Sequence, residues 1–120
     1  MNEQASYVAS VVALYADLPD TPLRASVSDQ WLARRFFDEG VPLRVVEMAL
    51  LLGSLRRIAR PTGAPTLQPI RSLAYFRPVV DELQTQQVPD GYLDYLRLKL
   101  NKAVSPLPAN VQKTTFLDDR

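Results

Sequence analysis

Two residue types are missing from this 120-residue sequence, which contains no cysteine and no histidine. Without cysteine the chain cannot form a disulfide, a thiolate metal site or a cysteine nucleophile, and without histidine it lacks the side chain that most often transfers protons near neutral pH. Carboxylates are left as candidate acid–base pairs, Asp38 with Glu39 and Asp81 with Glu82. Adjacent acids in a helix point in different directions, and no glycine-rich phosphate loop accompanies them. We therefore expect no enzymatic activity, no metal and no cofactor.

Basic residues are missing from the first twenty positions, MNEQASYVASVVALYADLPD. A signal peptide begins with basic residues, and the apolar run here is interrupted by Ser10 and Asp17 well before it could span a bilayer. We expect neither a signal peptide nor a transmembrane helix, no membrane partner, and a cytoplasmic location.

The length and the apolar content of 47% are those of one domain with a single core. Apolar residues recur at three- and four-residue intervals in five segments, which predicts helices, and no segment favours a strand. The predicted helices are Tyr7–Leu18, one that is capped by Ser26 or Ser28 and runs to Glu39, Pro42–Ile58, Pro69–Leu83 and one that starts at Asp90. We predict an all-α fold: a compact bundle of about five helices over residues 1–102, followed by an extended or disordered tail over residues 103–120.

Several residues fix details of this bundle. Ser26 followed by Asp29 has the spacing of a capping box, and Gly40 is a suitable stop for the second helix. The third helix is so apolar that it must lie near the centre of the domain. We expect Trp31 to turn inward from the second helix and to be buried together with Leu50.

Pro78 interrupts the fourth helix. An interior proline loses the hydrogen bond to the carbonyl four residues earlier, here that of Ala74, and its ring clashes with that carbonyl. The sequence therefore predicts a kinked fourth helix, or two short helices. We expect Tyr75 to be partly exposed at the bend, whereas Phe76 and Val80 stay inside.

Positive charge is concentrated in the middle of the chain. Residues 21–80 contain nine arginines and four acids, a balance of +5, whereas residues 1–20 contain three acids and no base. The helix dipole favours a cation near a helix C-terminus and would account for one arginine there. The guanidinium group also suits bidentate contacts with phosphate. The candidate nucleic-acid-binding residues are Arg56, Arg57, Arg60, Arg71 and Arg77, with Tyr75 as a stacking face for a base.

Residues 38–83 resemble the C-terminal helical domain of DnaD-like replication-initiation proteins. The resemblance lies in a glycine, a helix of the form GVPLRVVEMALLL, a connection, and a helix with Tyr75, Val79 and Leu83 at four-residue intervals. The family has tyrosine, isoleucine and tryptophan with that spacing, so Leu83 departs from its pattern. The resemblance implies a helical module that binds single- or double-stranded DNA and contacts the replication machinery. A helix of the IRSLAYF type also resembles accessory segments of bacterial plasmids and mobile elements.

Two functions remain open. The first is a DNA-binding accessory protein of replication or of a mobile element. Its contacts would be to the phosphate backbone with little sequence preference, because the third helix is too apolar to read a major groove. The second is a protein-interaction module or a small subunit of a larger assembly, with Phe37, Tyr92 and Tyr95 in a helical interface that has an arginine-rich rim.

Overall fold

The computed structural model describes residues 2–104, and these residues form five α-helices and one short 3₁₀ segment without any strand. The predicted all-α bundle is confirmed. The predicted tail begins at residue 103, and its residues 105–120 lie outside the described part of the chain. The α-helices are α1 (Glu3–Ala16), α2 (Val27–Asp38), α3 (Leu43–Ile58), α4 (Arg77–Gln84) and α5 (Tyr92–Val104), and the 3₁₀ segment is Leu73–Phe76.

Helices α1 and α2 form an antiparallel hairpin. Gln4 near the start of α1 donates to Asp38 at the end of α2 over 3.0 Å, and Tyr7 packs edge-on against Phe37 with ring centroids 5.3 Å apart. The end of α2 is followed by Gly40, whose φ of +81° is a conformation that glycine adopts without strain. The predicted stop at Gly40 is therefore confirmed.

Helix α3 is the central element, because α1, α4, α5 and the 3₁₀ segment all pack against it. Its residues Val46, Ala49 and Leu50 are almost completely buried. Gly53 brings the 3₁₀ segment close, since a Cβ at this position would lie 2.7 Å from the ring of Phe76. The expectation of a central third helix is correct, and so is the burial of Leu50.

The predicted break in the fourth helix is confirmed, but the helix starts later than predicted. Residues 69–72 are not helical, and Leu73–Phe76 forms the 3₁₀ segment. Pro78 then lies in the first turn of α4, where a missing N–H costs no hydrogen bond. As expected, Phe76 and Val80 are buried, and Tyr75 is 44% exposed.

The expected orientation of Trp31 is wrong. Trp31 is 58% exposed and does not share a core with Leu50. It precedes the buried Phe36 by five residues, which at 100° per residue places it about 140° away around the helix.

The rotation of α2 is fixed by a buried carboxylate. Asp29 is 1% exposed and accepts hydrogen bonds from the backbone N–H of Ser26 and of Leu73, both over 2.9 Å. Ser26 Oγ accepts in return from the Asp29 N–H over 3.1 Å, so the predicted capping box is present. Because Asp29 must face the 3₁₀ segment, Trp31 is turned toward the outside.

Within residues 2–104 there is no helix with both the length and the apolar content needed to cross a bilayer.

Candidate interaction surfaces

Arg56 is held by a carboxylate of α4. Its two terminal nitrogens donate to the two oxygens of Glu82 over 2.8 and 2.6 Å. These hydrogen bonds raise the pKa of Arg56 and lower the pKa of Glu82. A bidentate pair of this kind satisfies the donors that a phosphate would otherwise engage.

Arg57 connects three separate parts of the chain. One of its terminal nitrogens donates to Asp20 over 3.2 Å and to the Gln68 carbonyl over 2.8 Å, and its side chain is only 9% exposed. The guanidinium carbon also lies 5.4 Å from the centre of the Tyr75 ring, a cation–π distance. The aromatic surface predicted to stack on a base is therefore in contact with an arginine of the same chain.

The other predicted arginines differ in their partners. Arg60 donates to the Pro65 carbonyl over 2.6 Å and closes the loop after α3. Arg77 binds Glu39 over 2.8 Å and Asp81 over 3.4 Å. Arg71 is exposed and has neither an ion pair nor a hydrogen bond within the described residues.

The predicted cluster is thus divided among different neighbours. The fold brings Arg57 into contact with Tyr75, and Arg57 and Arg60 line one shallow pocket of about 310 Å³. Arg56 is directed to α4 instead, and Arg77 to the end of α2. Three of the five candidate arginines are neutralised by carboxylates of the same chain, so little net positive charge results from them.

The hairpin of α1 and α2 presents a second kind of surface. No charged residue occurs between Glu3 and Asp17, although one side of α1 is open to solvent at Ala5, Ala9 and Ala13. An open groove of about 410 Å³ lies between α1 and α2 and is bordered by Gln30 and Arg34 on the α2 side. Surface helices normally carry charged residues on their outer side, so α1 is unusually apolar for its position.

Trp31 is next to this groove. Arg34, which lines the groove, has its guanidinium carbon 4.8 Å from the centre of the Trp31 ring. Val27, one turn earlier on the same side of α2, is 69% exposed, and Leu23 just before the helix is 80% exposed. We define the hairpin face as the following residues: Ala5, Val8, Ala9, Val12, Val27, Gln30, Trp31 and Arg34.

The aromatics proposed from the sequence for an interface behave differently from one another. Phe37 is half-buried against Tyr7 and contributes to the α1–α2 contact. Tyr92 and Tyr95 stack with ring centroids 6.1 Å apart, and Tyr95 is 52% exposed on α5. Trp31 was missed because its apolar character suggested the core, although its angular distance from Phe36 already separates it from the buried side of α2.

Another open groove, of about 770 Å³, lies between α3, α4 and the loop that follows α4. Val45, Met48 and Leu83 form its apolar part, and its rim includes Gln84, Gln86 and Gln87 among other residues.

Two buried hydroxyl groups, those of Tyr15 and Ser54, have no hydrogen-bond partner in the described structure. Burial, together with the nearby negative charge of Asp29, raises the pKa of Tyr15 to about 12. Burial and the charge of Glu39 raise the pKa of Tyr7 to about 12 as well, and its hydroxyl donates to the Val41 carbonyl over 2.8 Å. These groups support the core and do not open onto a groove described above.

Comparison of the chain with protein-family models, with curated proteins and with solved structures found no match.

Proposed function

We propose that this chain is a non-catalytic helical protein-interaction module that binds its partner through the hairpin face. The observation that carries the proposal is Trp31, the single tryptophan of the sequence, which is 58% exposed beside a groove whose apolar part is Ala5, Val8, Ala9 and Val12. The neighbouring helix α1 has no charged residue from position 4 to position 16. A partner that covers a large exposed aromatic side chain in this setting removes it from water, which stabilises the complex.

The size of this gain can be estimated. A buried aromatic side chain covers about 150–250 Å², and about 58% of that area is still exposed at Trp31. At about 25 cal/mol per Å², covering the remainder contributes about 2–4 kcal/mol. Tryptophan and arginine are also the residue types enriched among interface positions that dominate binding energy, and Arg34 stacks on Trp31 here.

The arginine cluster gives weaker support to the nucleic-acid hypothesis. A phosphate that binds Arg56 or Arg77 must compete with Glu82 or Glu39, which already accept hydrogen bonds of 2.6–2.8 Å. Arg71 is exposed and lacks such a competitor within the described residues. DNA binding with little sequence preference therefore stays a prediction, with Arg71 as its first residue to examine.

Site-specific photo-crosslinking in the cells that make the protein tests the interaction module. One variant carries a benzophenone side chain in place of Ala9 on the hairpin face, and the matched variant carries it in place of Leu98, which is 55% exposed on α5. We expect a discrete cross-linked product from position 9 and none of that mass from position 98. The product is identified by mass spectrometry, and its component is then titrated against the purified parent and against Trp31→Ala.

Trp31→Ala should weaken this purified binding by at least about 30-fold, the equivalent of about 2 kcal/mol. A Leu98→Ala variant should bind as the parent does. Equal cross-linking at the two positions, or a partner whose affinity is insensitive to Trp31→Ala, would contradict the proposed use of the hairpin face.

A further inference from the structure

The hairpin face has two parts that differ in shape. One is a projecting side chain, Trp31, with Val27 exposed one turn away on the same side of α2. The other is the groove beside it, whose floor includes Val8, Ala9 and Val12 of α1. A projection and a recess with an apolar floor and a polar rim of Asn2, Gln4, Gln30 and Arg34 lie side by side on one surface, which allows that surface to pack against another copy of itself.

The charges around the face also have both signs. Glu3 and Asp17 lie at the two ends of α1, which has no base, whereas Arg24 and Arg34 lie just before and within α2. These two arginines are exposed and form no ion pair within the described residues. An arrangement that places α1 of one copy over α2 of the other brings acids next to arginines. A contact between identical surfaces around a two-fold axis requires this kind of self-complementarity.

The area available corresponds to that of the smaller specific interfaces between proteins. Helix α1 has 14 residues and α2 has 12, so at 1.5 Å per residue they are about 21 and 18 Å long. Two such helices side by side, each about 10 Å wide, have an outer side of about 400 Å² in projection and about 600 Å² of accessible surface. Two copies would bury about 1,200 Å² in total, which is within the range of specific protein–protein interfaces.

From these three observations we infer that the partner of the hairpin face is a second copy of this chain. The two copies are related by a two-fold axis, and Trp31 of each copy packs into the α1–α2 groove of the other. This inference rests on the proposed function, because it names the occupant of the same surface.

The oligomeric state of the purified full chain tests the inference. Light scattering after size exclusion and sedimentation equilibrium should give twice the monomer mass of 13.5 kDa. The single tryptophan provides a second readout that belongs to the interface alone. On dilution below the dissociation constant, its emission should shift to longer wavelength because Trp31 becomes exposed to water.

Two substitutions on the hairpin face should produce monomers. Trp31→Ala removes the projecting side chain, and Ala9→Glu places a charge in the groove while keeping a good helix former. Loss of Trp31 occurs twice in a two-fold interface, so we expect the dissociation constant to rise about 1,000-fold, or about 30-fold for each copy. Leu98→Glu, which changes an equally exposed apolar residue on α5, should leave the dimer intact. Far-UV circular dichroism verifies that each variant is folded.

Each outcome distinguishes between the inference and its alternatives. A parent chain that is monomeric up to about 1 mM, a concentration at which even weak association is detected, overturns the dimer. The interaction module would then stand if position 9 cross-links to a different protein, and would fail as well if position 9 gives no specific product. A dimer that survives Trp31→Ala and Ala9→Glu but dissociates in Leu98→Glu uses another surface and also overturns the inference.

Discussion

The carboxylate of Asp29 should contribute more to stability than any other single polar side chain of the hairpin. It is buried and accepts the backbone N–H of Ser26 at the start of α2 and the backbone N–H of Leu73 at the start of the 3₁₀ segment. Asp29→Ala removes both acceptors and leaves the buried Leu73 N–H without a partner. The residues it joins are 44 positions apart, so the effect extends beyond α2.

The magnitude follows from the two contacts. A hydrogen bond to a charged group contributes about 1.5–3 kcal/mol, and a side-chain cap at a helix start contributes about 0.5–2 kcal/mol. We expect Asp29→Ala to lower the free energy of unfolding by about 2–5 kcal/mol. A domain of this kind has about 5–15 kcal/mol in total, so the variant should lose a large fraction of its stability.

Urea denaturation followed by circular dichroism at 222 nm measures this loss, and two further variants control for it. Ser26→Ala removes only the hydroxyl half of the capping box and should cost about 1 kcal/mol. Asp29→Asn keeps the size of the side chain and one acceptor oxygen but places an amide donor against one of the two N–H groups, so its cost should lie between the other two. The denaturation midpoint should be lowest for Asp29→Ala, higher for Asp29→Asn and highest of the three for Ser26→Ala, with similar m values.

An Asp29→Ala variant whose unfolding free energy lies within about 0.5 kcal/mol of the parent, the range of ordinary surface substitutions, would show that the contacts of Asp29 do not stabilise the fold. An Asp29→Asn variant as stable as the parent would show that the two N–H contacts do not require two acceptor oxygens.

Three other predictions concern the core and the arginines. Gly53→Ala should lower the melting temperature, because its Cβ would lie 2.7 Å from the buried ring of Phe76. The cost of overpacking, about 1–3 kcal/mol, exceeds the gain in helix propensity of about 1 kcal/mol. A higher melting temperature would show that the ring moves freely. Above pH 10 the unfolded chain loses the protons of Tyr7 and Tyr15 before the folded chain does, since both pKa values are raised to about 12. The unfolding free energy should therefore fall by about 1.4 kcal/mol per pH unit for each tyrosine between about pH 10 and 12. Equal denaturation midpoints in urea titrations at pH 9 and at pH 11 would contradict this. If DNA binds the candidate arginines, Arg71→Gln should reduce the logarithmic salt slope of oligonucleotide binding by about 0.7–0.9. An unchanged slope would remove Arg71 from the interface.

Local sequence signals predicted much of the fold because the forces behind them act over a few residues. The Ser26–Asp29 spacing indicated a capping box, and Gly40 indicated the end of α2, since each depends on neighbouring backbone groups. Pro78 indicated a break for the same reason, because its missing N–H and its ring affect only the preceding turn. These signals are satisfied in the structure without help from distant residues.

Features set by distant contacts could not be predicted in this way. The hydrogen bond from the Leu73 N–H to Asp29 joins residues 44 positions apart, and nothing in the local sequence specifies that partner. The arginine cluster was judged from its sequence neighbours, whereas its charges are balanced by residues such as Glu82, which is 26 positions from Arg56. The positive potential predicted from residues close in sequence was therefore too high for this region.

Residues 61–68, in the connection between α3 and the 3₁₀ segment, are held through main-chain carbonyls, whereas Ile70 after them is buried in the core. Arg57 and Arg60 donate to the carbonyls of Gln68 and Pro65, and the N–H of Ile70 donates to the Asp20 carbonyl over 2.9 Å. A carbonyl is present whatever side chain its residue carries, so substitutions at Gln68 and Pro65 leave these acceptors in place, whereas loss of either arginine removes its hydrogen bond. Among related chains from other species, we expect this connection to keep its path and its two anchoring arginines while its sequence diverges.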